Sequence, residues 1–587
     1  MRAVEYLRLR RNLLRFVLIV WTGLSLVALA GLYYGKLWKE DVAWYAGRSV
    51  AEQRARVLER AGTPYRNLDQ ALTALASWPA DQGYTARGDF TQLSYFKYLA
   101  IPHLPDGTTT HSVQWADRRL TVSAGTDEFA SNHDSCGFAQ ATVPSPFRFA
   151  LSVAFVLAMA FALKRLGHGI ALTLPECSAA SVLVIGILTP LSRHALGTAI
   201  PGYLGFLLLA ALLVAVAVTR GNPTRESSVR QKIPSGFFLA VVVLVCGWSM
   251  AKAVIVVPDD WDAWAIWGAK AKVLALGAGS LADVRYFGHA DYPLLWPALW
   301  SFSAWVCGGW EEHWCRAWGA VLLALSAWQL RTVAWASTRS ATAAWISPLI
   351  LLTVPKVLLF ASWGYAEAAL WLMLTCAGGR FLRWLASPNR MDAFLVGVFC
   401  AGASLTKNEG VMFSLLFLIA MTASRPSHRT ILPWCAAYLP GVGPWYAWKK
   451  FHLPDTPRVF EHLEFTVNQL QYALHRLPEA VVLIFREWAT VTNWNVALPI
   501  AIFSCLYALC YMPRHVRIVA AIPLMALGTM FVIVINSPDP LHWQIGTAWD
   551  RLTAQALPLM AMVVALIAGA EHKKHDTLPF SDPSDSR

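Results

Sequence analysis

The chain has 587 residues, of which 56% are hydrophobic and only 14% are charged, and its mean hydropathy is +0.43. A soluble protein would carry about 25% charged residues, so the composition excludes an ordinary soluble enzyme. The net charge of +13 does not indicate nucleic-acid binding, because Lys and Arg gather between apolar runs, as the positive-inside rule predicts for cytoplasmic loops. Apolar runs near bilayer-spanning length recur along the chain. They predict an all-α polytopic membrane protein.

The apolar runs predict about fourteen transmembrane helices. They cover residues 14–33, 148–163, 170–190, 201–219, 236–257, 318–336, 342–360, 365–384, 392–405, 411–423, 431–447, 494–511, 517–536 and 553–570. Arginines precede the first run, so the N-terminus is expected in the cytoplasm. The alternative is that Ala28-Leu29-Ala30 is a signal-peptidase site. Basic loops between the later runs place the C-terminus in the cytoplasm as well.

The runs also divide the chain into regions. Residues 1–35 contain the N-terminus and the first helix, and residues 36–147 are predicted to form a small soluble α/β periplasmic domain with a strand-like piece at 112–122. Residues 148–235 contain additional transmembrane helices, and residues 236–570 form the membrane core. Residues 571–587 are a polar cytoplasmic tail. Within the core, 258–317 and 451–493 are predicted outer loops. The apolar piece 294–307 is short for a span and rich in Trp, so a helix along the outer interface is predicted there.

Most of the ten cysteines fall in apolar runs and are expected to be small core residues. Cys136 lies in a predicted outer region with no obvious partner. Cys307 and Cys315 have a spacing that allows a disulfide in the first outer loop. No Cys or His spacing is typical of a metal site, so neither a metal nor a cofactor is expected. A divalent cation at the acidic residues 259–262 stays open, because paired carboxylates are hard oxygen ligands.

Asp259, Asp260 and Asp262 follow directly on the apolar run that ends at Val257. A carboxylate at the edge of the bilayer is costly to hold ionised, so it more often marks a functional site than an accident. The alternative is that one or more of these acids caps the helix expected to begin near Ala263. The cluster is therefore the first place in this chain to look for chemistry.

Three motifs in the core resemble those of a known superfamily. They are Trp261-Asp262-Ala263-Trp264 with the later His289-Ala290-Asp291-Tyr292-Pro293-Leu294, then Trp363-Gly364-Tyr365-Ala366-Glu367, and Leu405-Thr406-Lys407-Asn408-Glu409-Gly410. Over residues 236–570 the chain resembles the GT-C integral-membrane glycosyltransferases, among them the bacterial dolichyl-phosphate-mannose-protein mannosyltransferase-like and lipid A aminoarabinose transferase-like members. It departs from them at Glu367, where Asp is more usual, and residues 1–235 have no counterpart in the minimal core.

The resemblance implies an inverting enzyme that transfers a sugar from a polyprenyl phosphate to a lipid, glycan or protein acceptor. Such a transfer requires a base for the acceptor hydroxyl and cations for the departing phosphate. Asp262 is the expected base because it lies in the Trp-Asp-Ala-Trp motif, and Asp260 is the reserve. Glu367 is expected to orient the acceptor or a catalytic group, or to cap the helix that follows it.

Five further residues are expected to bind substrate or phosphate: Lys407, Arg551, Tyr292, His289 and Lys270. Lys407 lies between two apolar runs, where its ammonium reaches a phosphate or pairs with Glu409. Arg551 offers bidentate phosphate contacts, or pairs with Asp550 beside it. His289 and Tyr292 are cavity residues in this interpretation, and Lys270 contacts lipid headgroups.

The predicted topology places this site on the periplasmic face of a bacterial inner membrane, with membrane lipids and no nucleic acid as partners. Two other classes stay open. A lipid-linked glycan transporter would carry charges at mid-membrane and inverted repeats, neither of which the sequence shows. An O-antigen ligase or polymerase would use a late outer loop rich in basic residues. The loop 451–493 partly fits, with Arg458, His462, His475, Arg476 and Arg486.

Overall fold

The computed structural model describes residues 146–576, apart from 168–169, 220–234, 259, 277–279, 311, 425–427 and 454–465, together with short pieces between residues 45 and 128. In this part of the chain, six helices are long and apolar enough to cross a membrane, or seven if one bent pair is a single span. The chain is thus a multi-pass helical membrane protein, as its composition predicts. The predicted span at 14–33 and Asp259 lie outside the described residues, as does Cys136.

A four-stranded sheet precedes the helices. It consists of β1 (Thr85–Arg87), β2 (His111–Ala116), β3 (Arg119–Ala124) and β4 (Asp127–Glu128). β1 pairs with β2 in parallel, while the β2–β3 and β3–β4 pairs are antiparallel. Strands β2 and β3 cover the predicted strand-like piece. Most of 36–147 lies outside the described residues, so the α/β domain as a whole stays a prediction.

The helices are numbered here in chain order. They are α1 (Pro146–Leu166), α2 (Leu174–Leu196), α3 (Ile200–Thr219), α4 (Ser235–Ile255), α5 (Ala269–Leu276), α6 (Leu295–Cys307), α7 (Glu312–Thr338), α8 (Ala341–Leu352), α9 (Pro355–Trp363), α10 (Glu367–Ala386), α11 (Arg390–Thr406), α12 (Glu409–Ser424), α13 (His428–His452), α14 (Val467–Ala489), α15 (Val491–Trp494), α16 (Ala497–Tyr511), α17 (Arg514–Asn536), α18 (Leu541–Gln544) and α19 (Asp550–Asp576). Short π-helical turns at Ala263–Gly268 and Ile545–Trp549 and a 3₁₀ turn at Leu281–Tyr286 connect them.

A helix occupies each predicted segment from 148 onward, but the segment 342–360 is not one straight helix. It consists of α8 and α9, which are bent by 60° relative to each other. Pro355 is the first residue of α9. Proline lacks an N–H and disfavours helical backbone in the residue before it, so the helix ends and restarts here. The bend matters because α9 leads directly into the candidate site.

Helix α6 packs inside the protein. Almost all of its side chains are buried, including those of Trp296 and Trp300, and it packs against α1, α2, α5 and α7. At 13 residues it is shorter than a span, as predicted, but these two indole rings contact protein instead of a headgroup layer. Cys307 at its end and Cys315 in α7 are not joined in a disulfide, so the suggested pairing is wrong.

A buried ionic network joins the additional helices to the core. Arg380 of α10 is fully buried and donates to both carboxylate oxygens of Glu176 in α2 at 2.6 Å. It also donates to Asp392 of α11 at 3.0 Å. Glu176 in turn accepts from the backbone N–H of Thr173, whose hydroxyl accepts from the Glu176 backbone in a reciprocal cap. One guanidinium therefore fixes the positions of α2, α10 and α11 relative to one another.

Helices α7 and α9 approach closely at Gly319. A methyl group on this residue would overlap the carbonyl oxygen of Ala361, so α9 would have to shift. We expect the overlap in Gly319→Ala to lower the free energy of unfolding by about 1–3 kcal/mol. Alanine also stabilises a helix by roughly 1 kcal/mol relative to glycine, but the cost of the overlap should be the larger effect. Gly247→Ala in α4 is the matched control, because nothing lies within 4 Å of the added methyl. Thermal unfolding in detergent measures both, and equal melting temperatures for Gly319→Ala and wild type would contradict this prediction.

Candidate active site

Asp260 and Asp262 lie just after α4 and have different partners. Asp262 occupies the cap position of the π-helical turn but makes no side-chain capping bond. Its carboxylate accepts from the guanidinium of Arg551. The carboxylate of Asp260 accepts from the hydroxyl of Tyr365 and, at 3.2 Å, from the backbone N–H of Asp262. Asp262 is thus not a helix cap, whereas Asp260 fixes the local turn and also reaches across to a second element.

Tyr365 reaches Asp260 because of the turn that ends α9. Gly364 has φ of 87°, a left-handed conformation that favours glycine. The Trp296 indole donates to its carbonyl at 2.8 Å, and a side chain at this position would overlap Trp300. The guanidinium of Arg551 lies 5.4 Å from the centre of the Tyr365 ring. The Gly-Tyr-Ala-Glu motif therefore places the Tyr365 ring beside the guanidinium of the Asp262–Arg551 pair.

The neighbouring Asp550 does not pair with the side chain of Arg551. Its carboxylate lies 2.6 Å from the ammonium of Lys356 in α9, and it accepts the backbone N–H of Arg551 at 2.6 Å. The internal Asp550–Arg551 contact, the alternative to phosphate binding, is thus present only between the carboxylate and the Arg551 backbone. The α8–α9 bend presents Lys356 to Asp550, and this leaves the guanidinium of Arg551 directed at Asp262.

Lys407 and Glu367 form a second, deeper pair. The Lys407 ammonium lies 2.8 Å from Glu367 and 3.3 Å from Glu409, and Gln555 of α19 donates to Glu367 at 3.4 Å. Burial alone would lower the pKa of Lys407, but the charges of Glu367 and Glu409 outweigh it and hold the pKa above its usual value. Lys407 is therefore a permanent cation whose charge two carboxylates already offset. Its phosphate-binding role stays a prediction.

Helix α19 connects the two pairs. Arg551 and Gln555 are four residues apart and hence lie on one face of that helix. Arg551 contacts Asp262 and Gln555 contacts Glu367. On the facing element, the Tyr365 ring lies beside the guanidinium of Arg551 and Glu367 accepts from Gln555. The result is one continuous band of polar side chains, to which we refer as the polar band.

The two ends of the polar band differ in exposure. The side chains of Asp262 and Arg551 are 14% and 20% exposed, whereas those of Glu367 and Lys407 are 1% and 3% exposed. The Asp262–Arg551 pair is therefore the more accessible end of the polar band. Among the described residues, no group of three or more His, Cys, Asp or Glu side chains could hold a metal ion.

His289, Tyr292 and Lys270 form a stacked group beside Lys407. The Tyr292 ring stacks on His289 with centroids 4.9 Å apart, and Lys407 lies 5.7 Å from the same ring. Lys270 is fully buried and donates to the carbonyl oxygens of His289 and Tyr292. Burial lowers the pKa of Lys270 to about 7, opposed by the charge of Asp291. This lysine fixes the loop that carries the other two residues, and it does not face a lipid headgroup layer.

Sequence reasoning missed several members of this region. Asp291 is buried and accepts from the Asn408 amide at 2.6 Å, with Lys449 of α13 at 3.6 Å. Asn408 and Asp291 both lie inside quoted motifs, but nothing in their spacing indicates that they meet. Of these residues, only Gln555 could have been predicted from the sequence as a site residue, because it follows Arg551 by one helical turn in an otherwise apolar helix.

In the predicted outer loop 451–493, one of the described basic side chains is buried. Arg476 of α14 is buried and donates to the carbonyl oxygens of Ile535, Ser537 and Asp539, the last at 2.6 Å. It therefore closes the C-terminal end of α17. His475 and Arg486 are exposed, while Arg458 and His462 lie outside the described residues. Arg476, one of the five basic residues named for the ligase interpretation, thus has a structural role.

Comparison with known proteins returns little. No family model matches the chain, and no curated protein does. A search of solved structures finds the crystal structure of ArnT from Cupriavidus metallidurans bound to undecaprenyl phosphate, with 18% identity and a TM-score of 0.38. The match covers 56% of this chain and 59% of that chain, so this chain spans less than two thirds of that protein.

Proposed function

We propose that this protein is a membrane glycosyltransferase that moves a sugar from a polyprenyl phosphate to a lipid, glycan or protein acceptor. The observation that carries the proposal is the partly exposed Asp262–Arg551 pair at the accessible end of the polar band. It places a carboxylate and a guanidinium in contact, the two groups that this transfer requires. The carboxylate takes the proton of the acceptor hydroxyl, and the cation stabilises the departing phosphate.

The pairing of Asp262 with Arg551 gives the proposed reaction an order. A donor phosphate competes with Asp262 for the guanidinium, because arginine binds phosphate and carboxylate with the same planar fork. When the phosphate takes Arg551, Asp262 loses its partner and becomes free to accept a proton. Asp260, held by Tyr365, is the reserve base. In this scheme Asp262 can act as a base only when a donor is bound, so an acceptor is not deprotonated in the absence of a donor.

The deeper end of the polar band has a supporting role in this proposal. Glu367 and Lys407 neutralise each other and are buried, so they orient neighbouring groups and do not exchange protons with solvent. Attack by the acceptor on the face opposite the phosphate inverts the sugar carbon, and it requires the Asp262–Arg551 contact to open so that the sugar lies between the base and the guanidinium. The polar band would face the periplasm of a bacterial inner membrane, with both termini in the cytoplasm and about fourteen spans. The sheet-containing N-terminal region would help to bind the acceptor.

Replacing Arg551 tests the phosphate contact separately from the base. We expect Arg551→Met to raise KM for the lipid donor by roughly 10- to 100-fold, the worth of a hydrogen bond to a charged group. Arg551→Lys should recover part of this loss, because the charge returns without the fork. Steady-state kinetics over a range of donor concentrations measures both variants. An unchanged KM in Arg551→Met would exclude this arginine from donor binding.

The proposed activity itself is tested with purified protein in detergent. We expect label to pass from a polyprenyl-phosphate-linked radioactive sugar to acceptors in a membrane extract, and not from a nucleotide-linked sugar. Because no metal site is predicted, EDTA should not reduce the rate. Failure to transfer label from any polyprenyl-phosphate sugar would favour the transporter or the ligase alternative. The exposed acid Glu479 in α14 provides a control variant, Glu479→Gln.

A further inference from the structure

Arg331 of α7 has neither a hydrogen bond nor an ion pair within the described part of the chain. Its guanidinium lies over the ring of Phe238 in α4, 4.7 Å from the ring centre. That ring packs edge-on against Trp345 of α8, with ring centres 5.5 Å apart. Of the three guanidinium nitrogens only Nε is fully buried, so the two terminal nitrogens are accessible. A charged group among apolar helices is costly unless an acceptor satisfies it.

The accessible side of Arg331 faces the bilayer. Trp328, one turn earlier in α7, is 45% exposed, and Leu239, next to Phe238 in α4, is 61% exposed. Residues three apart lie on one face of a helix, so Trp328 and Arg331 share the lipid-facing side of α7. A molecule that reaches the guanidinium from this side comes from the bilayer or from its surface, and no cavity inside the protein is needed to hold it.

Arg331 lies at the end of the helical bundle opposite to the candidate active site. Arg316 of α7 donates at 2.9 Å to the carbonyl oxygen of Ala253, close to the end of α4 that leads to Asp260. Arg331 follows Arg316 by fifteen residues in the same helix, or about 22 Å along its axis. The hydrocarbon core of a bilayer is about 30 Å thick. Arg331 therefore lies toward the other membrane surface, which the predicted topology places in the cytoplasm.

No carboxylate pairs with Arg331 in the described part of the chain. Helices α4 and α8, which both pack against α7, contain no acidic residue. The buried acids Glu176 and Asp392 accept from Arg380 instead. The next charged residue along the chain, Arg339, is also basic. The surroundings of Arg331 are therefore positive, and they favour an anion as the missing acceptor.

We infer that Arg331, Phe238 and Trp345 bind the headgroup phosphate of an anionic phospholipid, in the leaflet opposite to the candidate active site. Arginine forms paired hydrogen bonds with phosphate. It also stacks on aromatic rings and is more weakly hydrated than lysine, which suits a guanidinium held over Phe238 at the edge of the bilayer. The acyl chains of such a lipid lie along Trp328 and Leu239. A zwitterionic lipid carries a cation of its own, so it leaves the charge of Arg331 uncompensated.

The test measures competition between phosphatidylglycerol and phosphatidylcholine for the purified full-length protein by native mass spectrometry. We expect wild type to bind phosphatidylglycerol about tenfold more tightly, the worth of a hydrogen bond to a charged group. Arg331→Met should remove most of this preference. Arg331→Lys should keep part of it, because the charge returns without the fork. Glycerol 1-phosphate, which lacks acyl chains, should bind much more weakly than phosphatidylglycerol, and equal binding would overturn the assignment to a lipid.

Arg383→Met and Arg551→Met are the matched controls. Arg383 is a 48% exposed arginine of α10, and Arg551 binds the donor phosphate in the proposed function. Both variants should keep the preference for phosphatidylglycerol. An equal preference in wild type and Arg331→Met would mean that the guanidinium meets only interfacial water, and it would overturn the inference. So would a preference that Arg551→Met loses and Arg331→Met keeps, because the lipid would then lie at the candidate active site. Sugar transfer is measured separately, and its absence bears only on the proposed function.

Discussion

Asp262→Asn should lower kcat for sugar transfer by about 100- to 10,000-fold, the usual contribution of a general base. The amide keeps the shape of the carboxylate and a hydrogen bond to Arg551, so the fold and the position of Arg551 are retained. What is lost is the ability to accept a proton from the acceptor hydroxyl. Because donor binding depends on Arg551 in the proposed scheme, KM for the donor should change little or fall.

Asp260→Asn separates the two acids. If Asp262 is the base, Asp260→Asn should have a smaller effect, through the lost contact with Tyr365. A larger loss in Asp260→Asn than in Asp262→Asn would transfer the role of base to Asp260. Glu479→Gln should behave as wild type. Rates in all three variants are compared at equal amounts of folded protein, judged by size-exclusion chromatography.

The second large effect concerns stability. Arg380→Met should lower the free energy of unfolding by about 3–5 kcal/mol, because it leaves Glu176 and Asp392 buried without their cation. Arg383→Met is the matched control. That arginine is 48% exposed and lies 3.8 Å from Asp392, so its loss should cost about 1 kcal/mol or less. Denaturant titration of the two variants in detergent measures the difference.

The double variant Glu176→Leu/Arg380→Met gives a further check on the network. Removing both members of a buried pair is often far less harmful than removing one, so the double variant should be more stable than simple addition of the single effects predicts. Exact additivity would mean that Glu176 and Arg380 do not interact. It would also show that α2 is held against α10 by apolar packing alone.

Local sequence patterns predicted the helices and the acids, but not how the acids are paired. Apolar runs mark helices because a buried or lipid-facing helix needs continuous apolar side chains. The partners Asp262 and Arg551 are 289 residues apart, and no local pattern reports a contact over that distance. Glu367 and Lys407 were expected as separate site residues, whereas the fold joins them into one ion pair.

The sequence also did not predict which residues with a polar group are buried inside the protein. Lys270 and Trp296 both carry a polar group on an otherwise apolar body, a pattern typical of residues at a membrane interface. The fold instead places both in the interior, where a backbone carbonyl satisfies each of them.

The most direct test of the central claim is a single-turnover measurement. Purified protein is loaded with a polyprenyl-phosphate-linked radioactive sugar, acceptor membranes are added, and the rate of label transfer is followed for wild type and Asp262→Asn. We predict rapid transfer by wild type and at least about 100-fold slower transfer by the variant, with equal amounts of donor bound at the start. Equal transfer rates from equally loaded proteins would contradict the assignment of Asp262 as the base.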